Sequence, residues 1–188
     1  MVLVVMTGPG FTIFETAIGS CGLAWNARGI VAVQLPEPTA GATRARLAHR
    51  VPGAQESPPP PHVRRAADGI TALLRGEPAD LTAVPLDVEA IPPFDRDVYA
   101  IARTVPAGAT ITYGQIATRL GELSLSRDVG AALGRNPFPL VVPCHRVLAA
   151  GGKDGGFSAR GGIATKRTLL RIEGALPPEP PSLFDPPA

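Results

Sequence analysis

The sequence predicts an α/β domain with a small antiparallel sheet and a helix, followed by a mainly α-helical domain that contains a helix-turn-helix. Alternating apolar and polar residues near the start, and helical spacing of apolar residues further on, predict this order. The proline pair Pro92-Pro93 lies between the two patterns and is the expected domain boundary. The expected units are a first domain at 1–91, a second domain at 92–175 and a disordered, proline-rich tail at 176–188.

Three short strands are expected in the first domain. Phe11-Thr-Ile-Phe14 alternates between apolar and polar residues, and residues 21–25 and 30–33 are mostly apolar. Asn26-Ala-Arg-Gly29, between the second and third segments, has the composition of a hairpin turn. These segments together predict the antiparallel sheet.

Prolines limit what can follow the strands. The proline-rich stretch that ends in Ser57-Pro-Pro-Pro-Pro61 cannot continue a helix or a central strand, so we expect an exposed loop there. Apolar residues at helical spacing over residues 63–74 predict a helix, and Gly76 is suited to its C-terminal cap. Apolar residues within 86–91 predict a weak last strand.

The second domain is expected to be helical. Apolar residues over 94–105 lie at helical spacing and predict one helix. Thr112 and Gln115 predict a capping box at the start of a short helix that ends at Gly121, and residues 127–133 predict a second short helix. Two short helices joined by a tight turn are typical of a helix-turn-helix, although a plain helical hairpin would give the same pattern.

Charge is distributed unevenly along the chain. Residues 1–100 carry 8 basic and 10 acidic side chains, whereas residues 101–175 carry 10 basic and 4 acidic ones. A basic second half is expected if it contacts a polyanion, and an ordinary solvated surface is the alternative. With 45% hydrophobic and 18% charged residues the chain is not of the disordered class, and no apolar run reaches the ~20 residues of a membrane span.

The sequence also bears on location and metal content. Residues 1–6 are apolar but lack a basic start, so we do not expect a signal peptide and expect an intracellular protein. Two cysteines, Cys21 and Cys144, are too few for a disulfide framework. Cys21, His49 and His62 lack the close spacing of structural zinc ligands, so we expect Cys21 in the core, no metal and no cofactor.

The segment Pro143-Cys-His-Arg-Val147 carries the strongest chemical signal. A cysteine attacks as the thiolate, and a thiol with a pKa of ~8.5 is only slightly ionised at neutral pH, so a base must assist it. His145 is adjacent to Cys144, but neighbouring side chains on a strand point in opposite directions, so a turn or a bridging water is needed. Glu173 follows an apolar helical segment and could orient the imidazole. A buried structural cysteine is the alternative.

Further motifs accompany this segment in a fixed order. They are Thr112-Tyr-Gly-Gln-Ile-Ala117, Arg127, Gly134-Arg-Asn-Pro-Phe-Pro139, Val142-Pro-Cys-His-Arg-Val147, Gly156-Phe-Ser158, Lys166, and Leu169-Leu170 with Glu173-Gly174. The chain resembles the methylated-DNA–protein-cysteine methyltransferases, which are O-6-alkylguanine-DNA alkyltransferases, from about Phe94 to Ala175. The front half is similar only in outline to the family's ribonuclease-H-like α/β domain. The resemblance also implies a winged-helix-like second domain.

The resemblance implies direct repair of DNA by a protein that acts once. Cys144 would attack the alkyl carbon on the guanine O-6 oxygen and keep the group as a thioether. His145 would act through a water molecule as the base, and Glu173 would hold the imidazole. Asn136 would brace the turn before the motif, with a simple turn-forming role as the compatible alternative. Tyr113 would donate to the guanine, and a half-buried core tyrosine is the alternative.

The resemblance also implies that the damaged nucleotide rotates out of the duplex into a pocket. Arg127 would fill the vacated space, and the small residues Gly130 and Ala131 would let the helix approach the minor groove. Arg135 would neutralise a phosphate, or would be an ordinary solvated or salt-bridged charge. Asp128 is a departure that should weaken DNA binding unless it pairs with a nearby arginine or turns away from the groove.

The implied substrate pocket consists of residues that follow the second short helix, 127–133, along the chain. Its residues are Pro139, Val147, Phe157, Ser158 and Lys166, with Pro139 packing on the base and Ser158 giving a backbone donor. The glycine-rich residues 151–162 would close over the base, and a merely flexible loop is the alternative. A surface charge is the alternative for Lys166. Ala159-Arg160 look like an addition to the loop and leave the preferred alkyl group open.

Three functions compete at this level. The expected one is irreversible alkyl transfer from double-stranded DNA containing O-6-alkylguanine, by a monomer in the cytoplasm that associates with the nucleoid and not with membranes. The second is a non-catalytic DNA-binding protein, either an alkyltransferase-like protein or a helix-turn-helix regulator, although a thiol beside His and Glu is unnecessary for binding alone. The third is a cysteine hydrolase, for which no feature of the sequence calls.

Overall fold

The computed structural model describes residues 8–178. The apolar start at residues 1–6 and most of the expected tail, residues 179–188, lie outside the described part of the chain. The first half forms one four-stranded sheet with two helices. Its elements are β1 (Gly10–Thr16), β2 (Gly19–Asn26), β3 (Gly29–Gln34), α1 (Ala40–Arg50), β4 (Gln55–Glu56) and α2 (Pro61–Leu74).

The sheet has the strand order β3-β2-β1-β4. Strands β1, β2 and β3 form an antiparallel meander, in which Phe14 pairs with Cys21 and Leu23 with Val33. Strand β4 pairs with β1 in parallel, so the sheet is mixed and not purely antiparallel. Helix α2 begins at Pro61, where its missing N–H costs nothing, and Gly76 follows the helix with a φ of 75°.

Two expectations for the first half are wrong. The stretch before Pro61, which the sequence predicts to be a proline-rich loop, contains α1. Residues 39–51 are free of proline, so a helix can form there. Thr39 caps this helix by accepting a hydrogen bond from the backbone N–H of Ala42 at 3.1 Å. The weak strand expected within residues 86–91 does not form, since only Leu86 makes an isolated bridge, to Ile30. The loop at residues 57–60 is as expected.

The second half is mainly helical, as the sequence predicts. Its helices and strands are α3 (Pro93–Arg103), β5 (Ile111–Thr112), α4 (Tyr113–Arg119), α5 (Ser126–Gly134), β6 (Val147–Leu148) and α6 (Ile163–Ile172). Three 3₁₀ turns lie between them, at Leu123–Leu125, Cys144–Arg146 and Ala150–Gly152. Strands β5 and β6 pair in parallel, and this small ladder brings the end of the cysteine motif next to the start of α4.

Helix α4 starts with the expected capping box. The Thr112 hydroxyl accepts from the Gln115 N–H at 3.1 Å, and the Gln115 side chain accepts from the Thr112 N–H at 2.8 Å. Helix α5 buries Val129 and Leu133, as expected from their spacing. The two short helices pack against each other and against α3, which fixes the position of α5 relative to the cysteine motif.

Buried apolar side chains from both halves form one continuous cluster. It includes Ile30 and Ile70 from the first half and Val98 and Leu169 from the second. Cys21 is fully buried in this cluster, as the sequence predicts. Between residues 8 and 178, no helix has the length and apolar character needed to cross a membrane.

Candidate active site

Cys144 lies in a 3₁₀ turn that spans Cys144–Arg146. The segment at Cys144 is therefore a turn and not a strand, in which the Cys144 N–H donates to the Val142 carbonyl at 2.8 Å and the Arg146 N–H to the Pro143 carbonyl at 2.9 Å. The turn removes the geometric objection that neighbouring strand side chains point apart. Cys144 is 9% exposed, and it lines the two cavities described below.

His145, Arg146 and Glu173 form a buried polar cluster behind the thiol. The imidazole Nε2 lies 2.9 Å from one Glu173 oxygen, and the Arg146 guanidinium donates to both carboxylate oxygens at 2.8 Å. Arg146 also donates to the Val105 carbonyl at 2.5 Å, which ties the cluster to the end of α3. The His145 side chain is 0% exposed and that of Glu173 2%, so these contacts replace water almost completely.

The electrostatics of the cluster fix the tautomer of His145. Burial alone would raise the pKa of Glu173, but the hydrogen bonds from His145 and Arg146 outweigh it and hold the pKa at about 2. Burial lowers the pKa of His145 despite the opposing effect of Glu173. Glu173 is therefore ionised and accepts the proton on Nε2 of a neutral imidazole. Nδ1 then carries the free lone pair, and within residues 8–178 it has no hydrogen-bond partner.

Asn136 braces the cysteine turn from the other side. Its Nδ2 donates to the Val142 carbonyl at 2.9 Å, and its Oδ1 accepts from the Phe138 N–H at 2.9 Å. Burial raises the pKa of Cys144, whereas a hydrogen bond from Asn136 and the charge of Lys166 act to lower it. Asn136 thus links the residues on either side of Pro137 to the segment that leads into the cysteine turn.

Lys166 and Val147 are corrections to the expected pocket. Both side chains are fully buried, so neither lies on the pocket wall, and Lys166 is not a surface charge either. The Lys166 ammonium donates to the Val147 carbonyl at 2.6 Å and lies 6.0 Å from the centre of the Tyr113 ring. Burial lowers the pKa of Lys166, and the nearby Cys144 opposes this. Lys166 therefore lies behind the cavity wall, close enough to Cys144 for the two groups to influence each other's pKa.

In the part of the chain that the structure describes, Cys144 lines two neighbouring cavities. The first, which we call the tyrosine cavity, has a volume of about 540 Å³ and is lined by Tyr113, Ser126, Gly130, Leu133, Gly134, Cys144, Gly156, Phe157 and Ser158. The second, the arginine cavity, has a volume of about 250 Å³. Its lining residues are Val33, Gln34, Leu35, Glu37, Arg46, Arg50, Gly134, Arg135, Asn136, Pro139, Cys144, Phe157, Ser158, Ala159 and Arg160.

The sequence-predicted pocket residues divide between these cavities. Phe157 and Ser158 line both, Tyr113 lines the first, and Pro139 lines the second. Tyr113 is held closely by the glycine-rich loop, because a Cβ on Gly155 would lie 2.7 Å from the tyrosine hydroxyl oxygen. Gly155 has a φ of 64°, which also favours glycine. The loop therefore sets the position of the phenol.

The expected DNA-contacting residues lie on α5 and at Arg135, which follows it, and of these Gly130 lines the tyrosine cavity. Arg127 and Ala131 are exposed, and Gly130 lies where an added Cβ would approach the Tyr113 ring at 3.9 Å. Arg135 forms a two-bond ion pair with the buried carboxylate of Asp95, at 2.9 and 3.1 Å. The salt-bridged alternative for Arg135 is thus realised, although its side chain is still 58% exposed.

Comparison with known proteins identifies the family. The profile of the 6-O-methylguanine DNA methyltransferase, DNA binding domain, matches residues 93–175. The methylated-DNA–protein-cysteine methyltransferase of Methanothermobacter thermautotrophicus is 34% identical over 153 residues, which cover 81% of this chain and 78% of the relative. The chain belongs to the methylated-DNA–protein-cysteine methyltransferase family.

Other members agree in sequence and in fold. The methylated-DNA–protein-cysteine methyltransferase of Mycobacterium tuberculosis is 39% identical over 129 residues, covering 69% of this chain and 76% of the relative. The crystal structure of Mycobacterium tuberculosis OGT in complex with DNA has a TM-score of 0.73 and 31% identity, covering 88% of this chain and 93% of that one. This neighbour spans both halves, so the similarity is not confined to the cysteine-bearing half.

Sequence reasoning about this methyltransferase site missed two features. The first is Arg146, which shares Glu173 with His145 and was expected only as part of the motif. Its basic charge next to the histidine was a signal, but its partners lie far along the chain. The second is the arginine cavity, which needs residues from α1 and β3 of the first half. Among residues 8–178 there is no group of three His, Cys, Asp or Glu side chains that could hold a metal ion.

Proposed function

We propose that this protein repairs DNA directly, by irreversible transfer of an alkyl group, such as methyl, from the O-6 position of guanine to Cys144. One observation carries the assignment to this residue. Cys144 is the point where two cavities meet, and next to it His145 presents an unpartnered, buried Nδ1 while Glu173 holds Nε2. Family membership supports the same reaction.

The reaction would begin with removal of the thiol proton. Because Glu173 keeps the Nε2 proton in place, the Nδ1 lone pair of His145 is the base, acting directly or through one water molecule. The sulfur then forms a bond to the alkyl carbon, and the bond from that carbon to guanine O-6 breaks with its electron pair moving to the base. A thioether is not hydrolysed by neighbouring groups, so each molecule would react once.

The leaving guanine must gain a proton to depart as a neutral base. We assign this donation to Tyr113, whose phenol lines the tyrosine cavity and whose pKa is raised by burial and by Cys144, so that it stays protonated. This step leaves Tyr113 as a phenolate and His145 as an imidazolium, and transfer of one proton between them through solvent would restore both, so that the proton lost from Cys144 equals the proton gained by guanine. Ser158 would stabilise the guanine oxygen through its backbone N–H, Phe157 and Pro139 would pack beside the base, and Lys166 would stabilise the thiolate from behind the pocket.

Double-stranded DNA containing O-6-alkylguanine is the proposed substrate, bound along α5. A carbon inside the duplex is out of reach of a buried sulfur, so the nucleotide must be flipped into the tyrosine cavity. Arg127 would fill the vacated space, Gly130 and Ala131 would allow close approach to the minor groove, and Arg135 would contact phosphate while paired with Asp95. Phosphate contacts predict that binding weakens steeply with added salt.

The fold supports a finer description. The order β3-β2-β1-β4 with a parallel β1–β4 pair is the basis for a ribonuclease-H-like first domain, and α4 and α5 for a winged-helix-like second domain. We place the boundary at Pro92-Pro93, giving domains 1–91 and 92–175. We also propose that the protein acts as a monomer, in the cytoplasm and on the nucleoid when bound to DNA.

The decisive experiment uses a duplex oligonucleotide with one O-6-methylguanine. We expect the peptide containing Cys144 to gain the mass of one methyl group in proportion to the protein added, with unmodified guanine left in the DNA. The Cys144→Ser variant should show no adduct, and Cys21→Ser, which alters the buried cysteine of the sheet, is the control that should still react. Binding with unaltered DNA and protein would instead support a non-catalytic binder, and repeated turnover a hydrolase.

A further inference from the structure

The arginine cavity gives the sulfur a second neighbour besides the proposed guanine pocket. Cys144 lines both cavities, so a group transferred to it lies at the junction. In-line attack by the sulfur leaves the rest of an O-6 substituent to the side of the line that joins sulfur, carbon and oxygen, and the arginine cavity, lined in part by Pro139 and Phe157, is a second space that also borders Cys144. A methyl group has no further atoms to place there, whereas a longer substituent would need such a space.

The arginine cavity is lined by more positive charge than a pocket for a hydrocarbon substituent would need. Four arginines line it, Arg46, Arg50, Arg135 and Arg160, against the single carboxylate of Glu37. Arg46 and Arg160 share Glu37, at 3.2 and 3.8 Å. The paired Asp95 offsets a third arginine, Arg135. Positive charge therefore remains in excess.

Arg50 is the cation that keeps its charge uncompensated. Its guanidinium donates to the Val33 carbonyl at 2.9 Å, the Gln34 side-chain oxygen at 3.1 Å and the Pro137 carbonyl at 3.4 Å, and none of these acceptors is charged. Across residues 8–178 no ion pair involves Arg50. Arg50 as a whole residue is exposed, so its guanidinium lies at the rim of the cavity, where partial burial and the neighbouring Arg46 lower its pKa and arginine stays protonated.

We infer that the arginine cavity makes this protein selective for O-6 substituents that end in a carboxylate, such as carboxymethyl, with Arg50 as the main specificity-determining residue. This inference rests on the proposed function. The carboxylate would enter the cavity and accept hydrogen bonds from the guanidinium groups, which match its planar geometry. A neutral substituent of the same shape would desolvate the same cations without pairing them.

The chemical step is the same as for methyl transfer. The Cys144 sulfur forms a bond to the methylene carbon, and the bond from that carbon to guanine O-6 breaks with its electron pair moving to the base. The thiol proton is balanced by the proton that the departing guanine gains. The product is S-carboxymethylcysteine, with its carboxylate left in the arginine cavity, and no oxidant or other reactant is consumed.

The test compares two substrates of equal shape in otherwise identical duplexes. One carries O-6-carboxymethylguanine and the other the neutral amide, O-6-carbamoylmethylguanine. The second-order rate constant for each is measured by the mass of the Cys144 peptide, and the ratio of the two is taken for each protein. Within one protein, the ratio of the two rate constants is unaffected by a loss of folded protein or of thiol reactivity, because both substrates lose equally. Comparing this ratio between proteins removes the difference in intrinsic reactivity between the two substrates.

We expect Arg50→Gln to lower the carboxymethyl-to-carbamoylmethyl ratio about tenfold, the size typical of one charged hydrogen bond. Arg50→Lys, which keeps the charge, should retain most of the ratio. Arg64→Gln removes an equal charge from α2, outside the cavity, and should leave it unchanged. Arg160→Gln should lower the ratio in the same direction and carries the test if Arg50→Gln does not fold.

Two results would overturn these claims at different levels. A ratio unchanged within twofold in both Arg50→Gln and Arg160→Gln, while methyl transfer persists, refutes charge selection by this cavity. Absence of methyl transfer by the unaltered protein overturns the proposed function itself, and the inference with it.

Discussion

Replacing Glu173 with glutamine tests the role of the buried cluster most directly. Glutamine keeps the size of the side chain but removes the charge that orients His145 and pairs with Arg146. In Glu173→Gln the amide can donate as well as accept, so the Nε2 proton of His145 is no longer required and the lone pair on Nδ1 is lost in part of the population. We expect methyl transfer to slow by about 100-fold or more, the usual range for removing general-base catalysis.

The stability cost follows from the same contacts. The pKa of Glu173 is held at about 2, against an ordinary value of 4.5. Since one unit corresponds to about 1.4 kcal/mol, ionised Glu173 stabilises the fold by about 3 kcal/mol. Leaving the buried Arg146 unpaired gives a similar estimate of about 3–5 kcal/mol. Because the folded pKa lies below the unfolded one, this stabilisation is present above pH ~4.5 and is lost as the pH falls towards 2.

The assay follows from that pH dependence. Urea unfolding of both proteins between pH 7 and pH 3 should give a difference in unfolding free energy that is largest above pH 5 and shrinks as the pH falls. Methyl transfer is measured in single-turnover reactions under conditions where both proteins are folded. Glu77→Gln is the matched control, because Glu77 pairs with Arg75 on the surface and should change neither quantity appreciably. A folded Glu173→Gln variant that reacts within threefold of the unaltered protein would refute the tautomer argument.

Three further predictions concern the pocket and the thiol. Gly155→Ala should slow methyl transfer, because the new Cβ would lie 2.7 Å from the Tyr113 hydroxyl. Gly151→Ala is the control: Gly151 has a similar positive φ but no atom within 4 Å of the added Cβ, so this variant should cost only about 1 kcal/mol of stability. Equal rates of methyl transfer in the two variants would contradict the contact. Arg127→Ala should impair repair of duplex DNA more than reaction with a free alkylated base, since only the duplex needs a residue to fill the stack, and equal losses would remove this role. Cys144 should react slowly with iodoacetamide at pH 7 and faster at higher pH, followed by the mass of its peptide, because burial raises its pKa; rapid labelling at pH 6 would show a preformed thiolate instead.

Local signals explain which parts of the fold could be predicted. The capping box at Thr112 and Gln115 is a contact between residues three apart, so the start of α4 is encoded where it occurs. Helix α1 was hidden because it lies between prolines in a stretch where their density favours a loop. The prediction of a strand within residues 86–91 was wrong because the apolar residues there pack against the core without forming a continuous ladder of strand hydrogen bonds.

The site shows the same division between local and distant contacts. Glu173 was predicted because it follows an apolar helix that could return it to the motif, and the structure brings it to His145. The hydrogen bond from Arg146 to the Val105 carbonyl joins residues 41 apart in sequence, and no local sequence pattern indicates it. The burial of Lys166 likewise depends on β6 and α4, which are built from other parts of the chain.

The burial of Cys144 has a consequence for the reactivity of a thiol that reacts only once. A thiolate held permanently at low pKa would react with any electrophile that reached it, and its intrinsic nucleophilicity would fall with its pKa. Here burial raises the pKa of the thiol, while the neutral His145 and the charged Lys166 lie beside it. A raised pKa favours the protonated thiol at neutral pH, and the proposed reaction would draw its proton away only once the alkylated guanine lies in the tyrosine cavity. Under the proposed function, the attacking sulfur, the proton acceptor and the alkyl carbon would come together only when a flipped guanine occupies the tyrosine cavity, so the reaction would depend on position.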